Sequence, residues 1–154
     1  MDAREYFEGV RAAVFSRSRC EQRLEKLRSA EGVKAQGYSG MPTGKGGVSD
    51  PMAATDSRMV AEQQAVADMQ AYEREIADGF KVCNGVRKAH PSLRWGDALE
   101  FRYCLALDWS NVASCMNVTR QQAQRDANAA MDWIDAVGIA SAREGCGQQA
   151  LPLV

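Results

Sequence analysis

Histidine occurs once in these 154 residues, at position 90, directly before a proline. One imidazole beside Pro91, no paired Cys/His and no nucleophile motif leave little for general acid–base or covalent chemistry. The five cysteines are Cys20, Cys83, Cys104, Cys115 and Cys146, and none forms a C-x-x-C pair. A structural zinc site needs four clustered Cys/His ligands, which these spacings do not supply. Cys83, Cys104 and Cys115 are therefore expected as small buried hydrophobes, and Cys20 on a helix seam. Long apolar runs are also missing: nothing approaches the roughly 20 residues that cross a bilayer. The start is polar at once, with Asp2, Arg4 and Glu5, and no apolar signal segment follows Met1. The expectation is a cytoplasmic protein that is not an enzyme, holds no metal or cofactor and has no membrane partner. Neither sign of charge is in excess, since 19 basic residues meet 20 acidic ones for a net charge of −1. That balance argues against tight nonspecific binding to nucleic acid.

The hydrophobic fraction of 45% suffices for a folded core, and the spacing of the apolar residues predicts an all-α chain. Tyr6, Val10, Ala13, Cys20, Leu24 and Leu27 alternate four- and three-residue steps, the pattern of a bundle face or coiled-coil seam. Arg17 fills the missing seam position, with its stem packed and its head in water. This predicts a helix over about 3–30. The next stretch, 32–50, is rich in glycine and contains Pro42, so it reads as a flexible connector. Its Gly44-Lys45 step does not make a P-loop. Ser39 stands where the first glycine belongs, and Gly46 where the Mg²⁺-binding Ser/Thr belongs.

A second helix is expected over about 51–88, capped by Ser49 or Asp50 with Pro51 at its first position. Met52, Thr55, Met59, Val66, Met69, Ile76, Phe80 and Cys83 keep the seam, interrupted by Glu62 and Glu73. Two long amphipathic helices joined by a flexible loop make an antiparallel hairpin, residues 1–89. The polar interruptions leave the hairpin weak alone, so a second copy of the chain, a homo-oligomer such as a dimer, or packing on the C-terminal part is expected to complete its burial. His90-Pro91 ends the second helix. Ser92 then caps a third over about 93–105, with Trp95, Leu99, Tyr103 and Cys104 inward.

Within residues 91–138 lies the most specific pattern. A short helix over 109–116, begun by Asp108 or Ser110, is followed by a tight turn at Asn117-Val118. A longer helix starts at Thr119 and runs to about Gly138. This is the sequence form of a helix-turn-helix, which presents its second helix to the DNA major groove. Val112, Ala113, Met116 and Val118 pack the turn. Ala123, Ala127, Ala130, Met131 and Ile134 give the second helix an inner face. The cap Thr119, with Arg120, Gln121, Gln122, Gln124, Arg125 and Asn128, remains as the candidate DNA-binding set. Arginine pairs with guanine, and glutamine or asparagine with adenine. The same residue types also make an ordinary solvated face. From His90 onward five basic residues stand against seven acidic ones, so phosphate attraction is weak there. Residues 139–154 read as a flexible tail.

The runs Phe101-Arg102-Tyr103, Leu107-Asp108-Trp109, Val112 to Met116 and Val118-Thr119-Arg120 resemble region 4 of sigma factors. The upstream helix, the connector with Met41, Pro42, Ser49, Asp50 and Pro51, and the long second helix extend the likeness. Together they resemble the RinA/ArpU-like transcriptional regulators of phages and prophages. Ala106 stands where that family often has glycine, and Ala123 where a larger aliphatic is common. The resemblance implies a regulator of late phage genes, acting on double-stranded DNA at a promoter or with RNA polymerase. A different class also joins such a motif to oligomerising helices: a small terminase-like or other protein-interaction subunit without promoter function.

Overall fold

The computed structural model describes residues 1–37 and 51–145. Among them every regular element is helical, so the chain is all-α. Helix α1 spans Ala3–Gly37 and α2 spans Pro51–Ala89. After a turn at 91–94 come α3 (Trp95–Leu99) and a π-helical turn at Glu100–Cys104. Helices α4 (Trp109–Met116), α5 (Arg120–Val137) and α6 (Ile139–Glu144) complete the chain. No helix among the described residues is long and apolar enough to cross a membrane.

Several boundaries differ from the sequence reading. The connector expected over 32–50 starts later, because α1 continues to Gly37 through two glycines that weaken a helix without breaking it. The rest of the connector, 38–50, lies outside the described residues. Helix α3 begins at Trp95, two residues after the expected start. Ser92 is not its cap, and the cap position, Arg94, makes no side-chain bond. Residues 139–144, expected to open a flexible tail, form α6, in which Ala142 is fully buried. The tail beyond Gly145, with Cys146, lies outside the described residues.

The expected division near residue 90 also differs from the packing. One compact unit joins Met1–Phe15 to the chain from Glu73 onward, and the other is Ser16–Tyr72. In the first unit Ala3, Phe7 and Val10 of α1 share a core with Val82, Cys83, Val86, Leu99, Tyr103 and Ile134. The Phe7 and Tyr103 rings lie 5.5 Å apart. In the second unit the only buried hydrophobic residues among those described are Leu24 and Ala65.

The second half of α2 is the surface on which the first unit assembles. A methyl on Gly79 would stand 2.8 Å from Val10 Cγ1 of α1. One on Gly85 would meet the Ala142 carbonyl oxygen of α6 at 1.8 Å. The helices approach closely because these positions carry no side chain. Charge then pins the same contacts. Arg87 reaches Asp97 through Nε at 2.9 Å and Glu100 through Nη2 at 2.8 Å. Arg143 forks onto Asp78, Nε to Oδ1 at 2.8 Å and Nη2 to Oδ2 at 2.9 Å. The Tyr6 hydroxyl donates to the same Asp78 Oδ2, so α1, α2 and α6 meet at one carboxylate.

Where α3 ends, the turn widens. The Leu105 N–H bonds the Glu100 carbonyl, five residues back, at 2.9 Å. This brings the consecutive residues Tyr103 and Cys104 both into the core. The Cys104 and Cys83 sulfurs lie 3.7 Å apart. The neighbouring thiol and burial push the Cys83 thiol up, which keeps it protonated and packed as a hydrophobe. Cys115, expected inside, is exposed, because the inner face of its short helix is taken by Val112 and Ala113. Ala106 follows the π turn with φ of 56°, a left-handed conformation that costs a residue with a Cβ about 1–2 kcal/mol. Arg102 spans this corner. Its Nη1 donates to the Leu107 carbonyl at 3.1 Å, and its guanidinium stacks 4.7 Å from the Trp109 ring.

Burial works against the charge on Asp78, but the Arg143 guanidinium and the Tyr6 hydroxyl outweigh it and hold the carboxyl below its usual range. A carboxyl with a lowered folded-state pKa stabilises the fold above its unfolded value of about 3.9, and that stability is lost as pH falls through the folded value. Urea unfolding followed between about pH 5 and pH 3 should therefore show a smaller loss of stability for Asp78→Asn than for the parent. An equal loss in both would mean that Asp78 does not carry the acid sensitivity.

Candidate nucleic-acid interface

Helices α4 and α5 are joined by a turn held by backbone and cap hydrogen bonds. Asp108 caps α4, its carboxylate accepting the Asn111 N–H at 2.8 Å. Helix α4 closes on Asn117 in the left-handed conformation, φ 54°. The Asn117 N–H bonds the Ser114 carbonyl at 3.3 Å, and the Val118 N–H bonds that of Ala113 at 3.1 Å. This paired closure is the Schellman arrangement, and asparagine tolerates the left-handed position it requires. Thr119 then caps α5, its Oγ1 accepting the Gln122 N–H at 3.1 Å.

The inner face of α5 is the expected one. Ala123, Ala127, Ala130, Met131 and Ile134 are all buried. Small residues at three of the first four inner positions let α3 and α4 pack closely against α5. On the other side Arg120, Gln121, Arg125 and Asn128 are exposed, and Gln124 is half-buried. At about 100° per residue these five positions span about 140° of the helix surface. Thr119, Arg120, Gln121 and Gln124 line one open depression at the start of α5.

Three of the seven candidate residues have partners within the chain. Thr119 spends its hydroxyl oxygen on the cap. Gln122 donates from Nε2 to Asp126 Oδ1 at 3.0 Å, along the helix rather than outward. Asn128 Oδ1 accepts from Arg4 Nη2 at 3.0 Å. Arg120, Gln121, Gln124 and Arg125 thus form the compact outward set. Nothing in the local sequence signalled Arg4, which lies 124 positions from Asn128 and reaches it only through the fold.

The tryptophans, read as core anchors, are half-buried in this unit. Trp95 and Trp133 hold the His90 ring between them, each with centroids 4.7 Å apart. Among the described residues no three His, Cys, Asp or Glu side chains cluster so as to hold a metal ion. Searches against protein-family models, curated proteins and solved structures find no match to the chain.

The cap separates a structural from a recognition role at the start of α5. Thr119→Ala should cost about 1 kcal/mol of stability, and Thr119→Ser much less, because serine keeps the acceptor. Thermal or urea unfolding of the two variants checks this. Equal stability of parent and alanine variant would show that the hydroxyl contributes nothing to the cap.

Proposed function

We propose that this chain is a DNA-binding transcription regulator whose α4–turn–α5 segment is a helix-turn-helix of the sigma region 4 type. The observation that carries the reading is the outward set Arg120, Gln121, Gln124 and Arg125 on the first turns of a capped helix. Those turns are the part of a recognition helix that meets base edges. Their guanidinium and carboxamide groups supply forked donors for guanine and paired donor and acceptor groups for adenine. The resemblance to phage and prophage regulators extends the proposal to late-gene control, with RNA polymerase as a further partner. The two long helices serve as an antiparallel hairpin. In keeping with that, Leu24 and Arg28 of α1 line a groove with Met69 of α2, while Arg28 also borders Met59 and Glu62.

One observation favours oligomerisation through the hairpin. Met59 and Val60 are 53% and 64% exposed, in the unit whose described buried core is only Leu24 and Ala65. A second copy packed there removes apolar surface from water, at roughly 25 cal/mol per Å². A dimer suits a regulator with two half-sites, whereas a ring of many copies suits a packaging subunit.

Retention of fragments from the gene's own genomic neighbourhood, with competitor DNA and at two salt concentrations, tests the DNA reading. Specific retention that weakens as salt rises is the expected result. The double variant Arg120→Ala, Arg125→Ala should lose it while keeping the parent's circular dichroism. Unchanged binding would remove α5 as the reader. Sedimentation should give a dimer for the parent and a monomer for Met59→Glu, Val60→Glu. A monomeric parent would overturn the dimer, and a large ring would move the reading to a packaging subunit.

A further inference from the structure

The first helix enters the proposed interface at one point. Asp2 Oδ1 accepts the Glu5 N–H at 2.7 Å and so starts α1, while the Ala3 N–H donates to Asp135 Oδ1 of α5 at 2.7 Å. Ala3 and Phe7 are fully buried. These contacts fix where the residue between them stands. Arg4 is exposed, and its guanidinium lies against Asn128, on the same side of α5 as Gln121, Gln124 and Arg125. One Nη2–Asn128 bond occupies a single donor of a group that has five. Arg4 as a whole is exposed, so solvent reaches the residue that carries the other four donors.

We propose that Arg4 is a DNA phosphate contact flanking the reading helix, and that Asn128 is its positioning residue rather than a base reader. The inference rests on the DNA-binding reading of α5. The segment that carries α5 is short of positive charge: from His90 onward it has five basic and seven acidic residues. Phosphate neutralisation supplies most of the sequence-independent affinity, so a cation delivered from another part of the chain adds where local sequence does not. Guanidinium is the group for this task, since its planar fork matches two phosphate oxygens at once. A hydrogen bond that already orders the long side chain lowers the entropy lost on binding. Asn128, three residues beyond Arg125, lies past the opening turns of α5, where a side chain meets the backbone bordering the groove rather than the base edges.

The test uses fluorescence anisotropy of the full chain with a labelled mixed-sequence duplex of about 30 base pairs, across a salt series. Arg4→Ala should weaken binding about 3–10-fold at low salt and reduce the salt slope by about 1, equally on every duplex tried. Arg4→Lys keeps the charge and should keep the slope. Asn128→Ala should weaken affinity by less than Arg4→Ala and leave the slope unchanged. If Arg4→Ala binds like the parent while Arg120→Ala, Arg125→Ala loses binding, the inference about Arg4 is overturned and the reading helix stands. If Arg4→Lys loses as much affinity as Arg4→Ala with an unchanged slope, Arg4 acts only through the fold, which also overturns it. A parent chain that binds neither this duplex nor a duplex cut from any of the genomic fragments overturns the DNA reading itself.

Discussion

The missing side chain at Gly85 sets how closely the last helix lies on the second. A β-carbon there would overlap the backbone oxygen of Ala142, and backbone has no rotamer into which to retreat. Six residues earlier Gly79 leaves room for Val10, so two helices from opposite ends of the chain settle on two sides of α2, about 120° apart around its axis. Ion pairs hold the neighbouring elements, Asp78 binding Arg143 and Arg87 binding Asp97 and Glu100. Each is partly exposed, so each fixes register more than it adds free energy. Shape comes from the bare backbone and orientation from the charges. Together they decide where α3, α5 and α6 stand.

The helices and the inner face of α5 were legible because burial repeats every three to four residues there. Ala123, Ala127, Ala130, Met131 and Ile134 are an unbroken instance, and all five are inside. Asp108, Asn117 and Thr119 were readable for a related reason, since cap chemistry is local. Long-range assembly was not. The seam of α1 gives no sign that its first turns belong with α5 while its later turns belong to another compact unit. Helix α6 is only six residues long, too short for a periodic signal, and it is recognisable only from the partners that bury Ala142. Cys115 shows the opposite error, an apolar prior overruled by a short helix with room for only two inward residues.

The proposed reading head is economical in charge. Its outward set holds two arginines and two glutamines, and carboxamides contribute hydrogen bonds without long-range attraction. Such a surface discriminates between sequences better than it gathers DNA nonspecifically. Recruiting Arg4 from the far end of the chain, or doubling the head by dimerisation, would offset the shortfall without making the helix itself more basic.

The unit that carries α5 is built from two pieces of chain separated in sequence by Ser16–Tyr72. The Ala3 N–H finds its acceptor 132 residues later, at Asp135. During synthesis the first helix therefore leaves the ribosome long before its binding surface exists. Phe7 and Val10 must stay unsatisfied until the second half of α2 and the turn carrying Tyr103 have been made. Contacts this distant slow folding, because the loop between them has to close before any contact rewards it. The chain thus completes the unit that carries α5 only late in its own synthesis, and a truncated product that ends before the second half of α2 leaves the apolar face of α1 open to aggregation.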